Sequence, residues 1–371
     1  MRFAHLSDLH LGIRICDVKM AEDQRFILDQ IAEIIEAHKP DGVFISGDIY
    51  DRPIPPEESV EMLSNFLTRI RRAGSEIYMI SGNHDSPERI DFGKELFGSA
   101  GIFIGGKYEG RVKKISRKDE YGEIDIYLLP FIKPSYVNNH LSEEERVEST
   151  DYDGAVRKAL AGVSPDKEKR NIILAHQFVQ GATRSDSEEV LVGFIDAISA
   201  DIFEDFDYVA LGHLHKRQSI KRDTLVYSGS PLKYSFKEEK NEKSVTFVEL
   251  KEKGNIAIST VPLMPRREMK NLKGRFEDLM KKKSGDFVRV VLTDEIPIPF
   301  AFNKLRNSYP NILRLEYDKS KNYSELLNKN TRLKEKTPLE LFDEFYLKSN
   351  GRELDGEQKK FLAEIIEEGK E

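Results

Sequence analysis

The sequence contains a single cysteine, Cys16, among 371 residues. One thiol excludes an intramolecular disulfide and any thiolate metal cluster, and it fits a reducing compartment. Long apolar runs are also missing. The longest stretch without a charge, Asn171 to Thr183, falls short of the ~18 residues that cross a bilayer, and it contains Asn, Gln and His. The opening residues Met1 to Asp8 do not provide the apolar core of a signal peptide, so no membrane association and a cytoplasmic location are expected. Nor is there an excess of positive charge. Lys and Arg number 58 against 65 Asp and Glu, a net charge of −7. This excludes a uniformly basic nucleic-acid coat but leaves room for a local basic groove.

What is present is a globular composition, 39% hydrophobic and 33% charged. At roughly 150 residues per domain, the length allows two or three domains. From Met1 to about Pro262, short β-rich apolar runs alternate with helix-like segments, the rhythm of an α/β domain. In Glu57–Ala73, the residues Val60, Leu63, Phe66, Leu67 and Ile70 keep helical spacing between a proline cluster and Gly74, predicting a helix with one strong apolar face. A small α+β domain is expected over 263–321, with strands at Phe287–Leu292 and Ile312–Tyr317. A linker and two helices should follow over 322–371. Thr337-Pro338-Leu339-Glu340 and Asp355-Gly356-Glu357-Gln358 read as their capping boxes.

Five apolar runs end in polar clusters: Ser7-Asp8-Leu9-His10, Gly47-Asp48, Gly82-Asn83-His84-Asp85, His176 and Gly212-His213-Leu214-His215. Each reads as a buried strand with a loop at its carboxyl end. Asp8/His10 and His213/His215 are i, i+2 pairs, whose members face one side if the segment is extended. Pooled, the clusters offer Asp8, His10, Asp48, Asn83, His176, His213 and His215, a set of oxygen and imidazole donors suited to Mn²⁺, Fe, Zn²⁺ or Mg²⁺. Seven ligands exceed what one ion needs and suit two ions with a bridging carboxylate, the apparatus of phosphate-ester hydrolysis. A lone histidine is usually structural. Here, however, five of the eight histidines stand behind apolar runs, which argues for a joint role.

In this order, these motifs resemble the signature of calcineurin-like metallophosphoesterases. Ser7-Asp8-Leu9-His10-Leu11-Gly12, Gly47-Asp48-Ile49-Tyr50-Asp51 before a proline-rich turn, Gly82-Asn83-His84-Asp85-Ser86 and Tyr227-Ser228-Gly229-Ser230-Pro231 are similar to the bacterial SbcD nucleases, relatives of Mre11. The resemblance runs over nearly the whole chain and is looser beyond Pro262. It implies a β-sandwich flanked by helices (α/β/β/α) with a small α+β capping domain and C-terminal helices. It also implies two divalent cations, Mn²⁺ foremost, one held by Asp8, His10, Asp48 and His215 and the other by Asp48, Asn83, His176 and His213. His84 would then protonate the leaving oxygen or stabilise the transition state, with Asp85 orienting its ring. Asp51 matches the bacterial branch, where some archaeal and eukaryotic relatives carry His.

The same resemblance implies a DNA substrate, a coiled-coil ATPase partner, SbcC (Rad50-like), and a homodimer joined through Glu57–Ala73 with Arg89–Phe97. ATP use would belong to that partner, because Gly101 to Lys107 has the spacing of a phosphate loop but is followed by Tyr108, and Ile102-Phe103-Ile104 reads as a strand. Arg14, Asp51, Arg52 and Arg89, with Lys216 and Arg217 directly behind the last ligand, are the candidates for substrate contact. Two other readings remain open on these residues. One is a phosphoesterase for a small phosphodiester or a phosphoprotein, and the other is a non-catalytic scaffold on the same fold.

Overall fold

A computed structural model describes residues 1–183, 196–318, 337, 339–340, 342–343, 346–347 and 353–368. The expected linker over 322–336 lies outside the described residues. Strands β1 (Arg2–Leu6), β2 (Gly42–Ser46), β3 (Glu76–Ile80) and β4 (Ile102–Gly105) pair in parallel in that order. Helix α1 (Ala21–His38) joins β1 to β2, and α2 (Glu57–Arg72) joins β2 to β3. The Ile102–Gly105 segment is thus a strand, as its apolar sequence predicts, and not a phosphate loop.

Strands β5 (Lys113–Asp119), β6 (Gly122–Leu128), β7 (Arg170–His176), β8 (Tyr208–Gly212), β9 (Gln218–Ile220) and β10 (Arg222–Tyr227) form a second sheet in the order β9-β10-β8-β7-β6-β5. Its four central strands are parallel. β11 (Ser244–Leu250) and β12 (Ile256–Pro262) then return to the first sheet, β11 antiparallel to β1 and β12 antiparallel to β11.

Alternation along each strand explains the layers. Phe3, Phe44 and Tyr78 point from the first sheet into a core shared with Ile126, Leu174, Tyr208 and Ala210 of the second. Their neighbours Ala4, Val43, Ile45, Ile77 and Met79 point the other way, onto Ile27, Ile31 and Ile35 of α1 and Met62, Phe66 and Ile70 of α2. On the far side, Tyr127, Ile173, Val209 and Leu211 pack with Ala155 and Val156 of α3 (Tyr152–Leu160). Strands covered on both faces must be apolar at nearly every position, which is why they read as continuous runs rather than alternating ones. Each large side chain buried this way contributes about 1.5–3 kcal/mol. The result is the α/β/β/α sandwich. Among the described residues, no helix is long and apolar enough to cross a membrane.

Past β12 the chain builds a three-stranded parallel sheet from β13 (Met269–Gly274), β14 (Phe287–Leu292) and β15 (Ile312–Tyr317), with α4 (Phe276–Met280) and α5 (Ala301–Leu305). It has its own core around Val288, Val290, Leu292, Leu305 and Tyr309. Arg267 ties it to the sandwich, lying 4.6 Å from the Phe287 ring centre and pairing with the buried Asp23 of α1.

Both expected C-terminal caps form. The Thr337 amide and hydroxyl donate to Glu340 Oε2 at 2.7 and 2.9 Å, and the Glu340 amide returns a bond to Thr337 Oγ1 at 3.3 Å. Asp355 and Gln358 exchange the same kind of bonds at the start of α6 (Gly356–Glu368).

Candidate metal centre

Because the central strands of each sheet run parallel, their carboxyl ends share one edge, and the polar clusters gather there. Asp8 and His10 follow β1, Asp48 follows β2, Asn83 and His84 follow β3, His176 ends β7, and His213 and His215 follow β8. The backbone delivers these candidate ligands through turns rather than extended segments. Asp8, His10, Asp48 and His213 all have positive φ, at 54°, 43°, 48° and 98°, so the i, i+2 pairs do not converge by the strand alternation expected of them. Non-glycine residues held there cost roughly 1–3 kcal/mol each and need support from their surroundings.

That support is visible. The Asp8 and His10 amides donate to the carbonyls of Gly47 and Asp48, each at 3.0 Å. Gln24, buried on α1, donates to the Leu9 and His10 carbonyls and accepts from the Gly12 amide. Tyr234 Oη donates to the Leu9 carbonyl at 2.6 Å. Neither Gln24 nor Tyr234 belongs to a recognisable motif. Their immediate neighbours, Asp23 and Arg25 for Gln24 and Lys233 and Ser235 for Tyr234, give no signal in the sequence.

Asp48 lies between two groups of donors. Its Oδ2 is 3.6 Å from His10 Nε2 and 3.3 Å from His176 Nε2. On one side, His10 Nε2 and His215 Nε2 stand 3.1 Å apart beside Asp8; on the other, Asn83 Oδ1 is 3.1 Å from His176 Nε2 and 3.0 Å from His213 Nδ1. Nitrogen and oxygen lone pairs converge here without a thiolate, so the donor set fits divalent cations in mixed N/O coordination. The His176 ring is fixed by donating Nδ1–H to the Ser46 carbonyl at 2.7 Å, which in the neutral ring leaves the Nε2 lone pair free to ligate a cation beside Asp48. Phe131 covers this side, its ring centre 6.1 Å from His176 and 6.5 Å from His213.

The electrostatics are those of a crowded, buried cluster. Burial pushes the Asp8 carboxyl above its ordinary range, against the pull of His176 and His215. Burial also acts on Asp48, but His176, His10 and His84 outweigh it and hold that carboxyl well below its usual range. For His176, burial works downward, yet Asp48 and then Asp8 prevail and raise the imidazole to about 9. Burial leaves His10 well below its ordinary value. The carboxylates of Asp48 and Asp8 that raise His176 attract a cation for the same reason.

His84 is half-buried, more open than the buried aspartates and histidines of the cluster, and its ring centre lies 4.8 Å from that of His10. Its expected partner needs correction. Asp85 does not orient the His84 ring, because its carboxylate points backwards, accepting from the Ile49, Tyr50 and Gly82 amides at 3.1, 2.9 and 2.8 Å. The His84 Nδ1–H instead donates to the Asp51 carbonyl oxygen at 3.0 Å, and the His84 amide donates to Asp48 Oδ1. Three fixed amides explain how a carboxyl that burial and Asp48 raise to about 6 is tolerated there.

The cationic candidates scatter. Arg52 is exposed and pairs with Asp51, whose own carboxylate lies 3.8 Å from His10 Nδ1. Arg14 is exposed and donates to the Asp17 carbonyl, and Lys216 is exposed behind His215. Arg217 turns inward to Thr246 Oγ1 of β11 at 3.2 Å. Arg89 lines the groove beside α2 rather than the metal-facing edge.

Known proteins resemble this chain. Residues 1–217 match the calcineurin-like phosphoesterase family model, and 265–350 match a model described as the type 5 capsule protein repressor C-terminal domain. The chain is 30% identical over 378 residues to the D subunit of the nuclease SbcCD from Staphylococcus epidermidis, covering 99% of this chain and 98% of that one. It is 29% identical to the protein of the same name from Staphylococcus saprophyticus, over the whole of both chains. Among solved structures it is similar to a dimetal phosphatase from Danio rerio, at 11% identity over 71% of this chain and 98% of that one, with a TM-score of 0.43. The chain belongs to the calcineurin-like phosphoesterases and, within them, to the SbcD family, the D subunits of the SbcCD nucleases.

Proposed function

We propose that this chain is the nuclease subunit of an SbcCD-type complex that hydrolyses DNA phosphodiester bonds. Its substrates are double-stranded ends, attacked as an exonuclease, and single-stranded or hairpin DNA, cut as an endonuclease, in DNA end processing, repair and recombination. The observation that carries the reading is the convergence of six N- and O-donor residues from two sheets around Asp48, in a chain alike to the SbcCD nuclease's D subunit over its full length.

Asp8, His10, Asp48 and His215 hold one divalent cation, and Asp48, Asn83, His176 and His213 hold the second, with Mn²⁺ the preferred ion. Bound there, the pair supplies an acidified water and neutralises phosphoryl oxygens. His84, anchored by the Asp51 carbonyl and facing the open side, delivers a proton to the leaving oxygen. Asp85 supports the loop that carries His84 and takes no part in the chemistry.

Residues 1–262 form the nuclease domain, 263–321 a cap that meets DNA, and 322–371 a linker and helices that dock the SbcC ATPase. Two copies pair through α2, where the exposed Val60, Phe92 and Phe97 line a groove of about 710 Å³. The complex works in the cytoplasm.

One assay tests the reading against a small-molecule or phosphoprotein phosphoesterase. Linear duplex DNA, a small phosphodiester and a phosphoserine peptide are incubated in parallel with Mn²⁺, with and without an SbcC ATPase. Preferential DNA cleavage, stimulated by ATP with the partner, is expected. Turnover confined to the small ester or the peptide overturns it.

A further inference from the structure

The two best-defined imidazoles of the centre are oriented by unlike groups. His176 Nδ1 meets a neutral backbone carbonyl, that of Ser46. His215 Nδ1 instead faces a carboxylate, Glu238 Oε1, at 3.6 Å. Glu238 is fully buried, and its other oxygen accepts from Lys243 Nζ at 2.6 Å. Lys243 is buried too, and it donates further to Ser230 Oγ at 2.7 Å and to the carbonyl of His215 itself at 2.8 Å. The network therefore grips His215 at both ring and backbone.

A buried ion pair is a weak source of stability, because apolar residues of the same volume usually serve as well or better. Its placement calls for another account. A carboxylate behind a ligating imidazole fixes the ring, sets which nitrogen carries the proton and strengthens the other as a donor, more than a neutral carbonyl does. Lys243, at 2.6 Å from the other carboxylate oxygen, supplies the opposite charge that balances Glu238 in this buried position.

We infer that Glu238, held by Lys243, is a positioning residue for His215 and makes the cation position of Asp8, His10 and His215 the tighter of the two. This rests on the dinuclear reading above. Neither residue lies in the motifs of the five strand ends. Both belong to the segment between β10 and β11, which contributes no ligand of its own.

The test is a Mn²⁺ titration of the full chain by calorimetry, with electron paramagnetic resonance following the exchange-coupled Mn²⁺ pair. Wild type is compared with Glu238→Gln and with the double variant Glu238→Gln/Lys243→Met, which removes both charges of the buried pair. Circular dichroism checks that each is folded. In both variants one ion should bind about 10–100-fold more weakly, the other should be unchanged, and the coupled signal should appear only at correspondingly higher Mn²⁺. Two ions bound as in wild type, or two weakened equally, overturn the inference alone. Wild type that takes up fewer than two ions overturns the dinuclear reading and the inference together.

Discussion

Ser46 and His176 meet across the two sheets, the ring Nδ1–H donating to the carbonyl oxygen at 2.7 Å. Ser46 ends β2 of the first sheet and His176 ends β7 of the second, so this bond sets the spacing of the sheets at the edge where the candidate metal ligands emerge. The sandwich is thus not only a scaffold beneath the centre; its seam is part of the centre.

Gly212 tests how closely that seam is set. A Cβ there would overlap the Ser46 carbonyl oxygen and stand 2.7 Å from His176 Nδ1. Backbone cannot swing aside as a flexible side chain can, so the sheets would have to part. Gly212→Ala is expected to lower stability by about 1–3 kcal/mol and to weaken Mn²⁺ uptake, measured by chemical unfolding and metal titration. Unchanged metal affinity would show that the ligands tolerate a wider seam.

His84 and Asp85 adjoin in sequence but should fail in opposite ways. His84→Ala removes a half-buried ring whose Nδ1 is held by the Asp51 carbonyl, and it should lower DNA hydrolysis by about 10²–10⁴-fold with melting temperature and Mn²⁺ stoichiometry retained. Asp85→Asn leaves buried amides of Ile49, Tyr50 and Gly82 competing for one acceptor oxygen, and should cost about 1–3 kcal/mol of stability. A His84→Ala protein that still cleaves DNA at the wild-type rate would falsify the role given to that ring.

These two residues also mark how far the sequence could be read. The sheets were legible because strands covered on both faces, such as Tyr208–Gly212, must be apolar throughout, and the donor cluster was legible because its members stand directly behind those runs. Adjacency misled at Asp85: its carboxylate accepts from the Ile49, Tyr50 and Gly82 amides while the His84 ring is held by the Asp51 carbonyl, so neighbours in sequence serve different partners. Arg217 misled similarly, since its place behind His215 says nothing of the turn toward Thr246. Gln24 and Glu238 could not be found at all. Each acts on a loop distant in sequence, and only the folded chain brings them there.

His5 gives a prediction about pH. Burial lowers its imidazole to about 3, helped by Arg217 and opposed by a backbone bond to Leu211, and the neutral ring lies 2.9 Å from Tyr208 Oη. In the unfolded chain the same ring takes a proton near its ordinary value of about 6.5. Between these values the unfolded state binds the extra proton, so stability falls as pH drops below 6.5. From pH 7 to pH 5 this amounts to about 2 kcal/mol, at ~1.4 kcal/mol per unit. In urea unfolding of wild type and His5→Gln, the stability advantage of wild type should shrink by about that amount over this range. A constant difference would mean that the ring takes up its proton in the fold as readily as in the unfolded chain.

Val60 separates the proposed dimer face from the core beneath it. On α2, Met62, Phe66 and Ile70 are buried against the sheet, whereas Val60 is 47% exposed one turn away. It shares its groove with Leu67, Phe92 and Phe97, an apolar surface that a solvated monomer would leave open. Val60→Glu places a carboxylate in that groove without touching the buried face, so the change in monomer stability should stay within roughly 0.5 kcal/mol. Light scattering after gel filtration should report twice the chain mass of 42.7 kDa for wild type and the single mass for the variant. Mn²⁺ uptake per chain should be the same in both, because the proposed ligands Asp8 to His215 all come from one copy. A variant that remains dimeric places the contact elsewhere on the molecule.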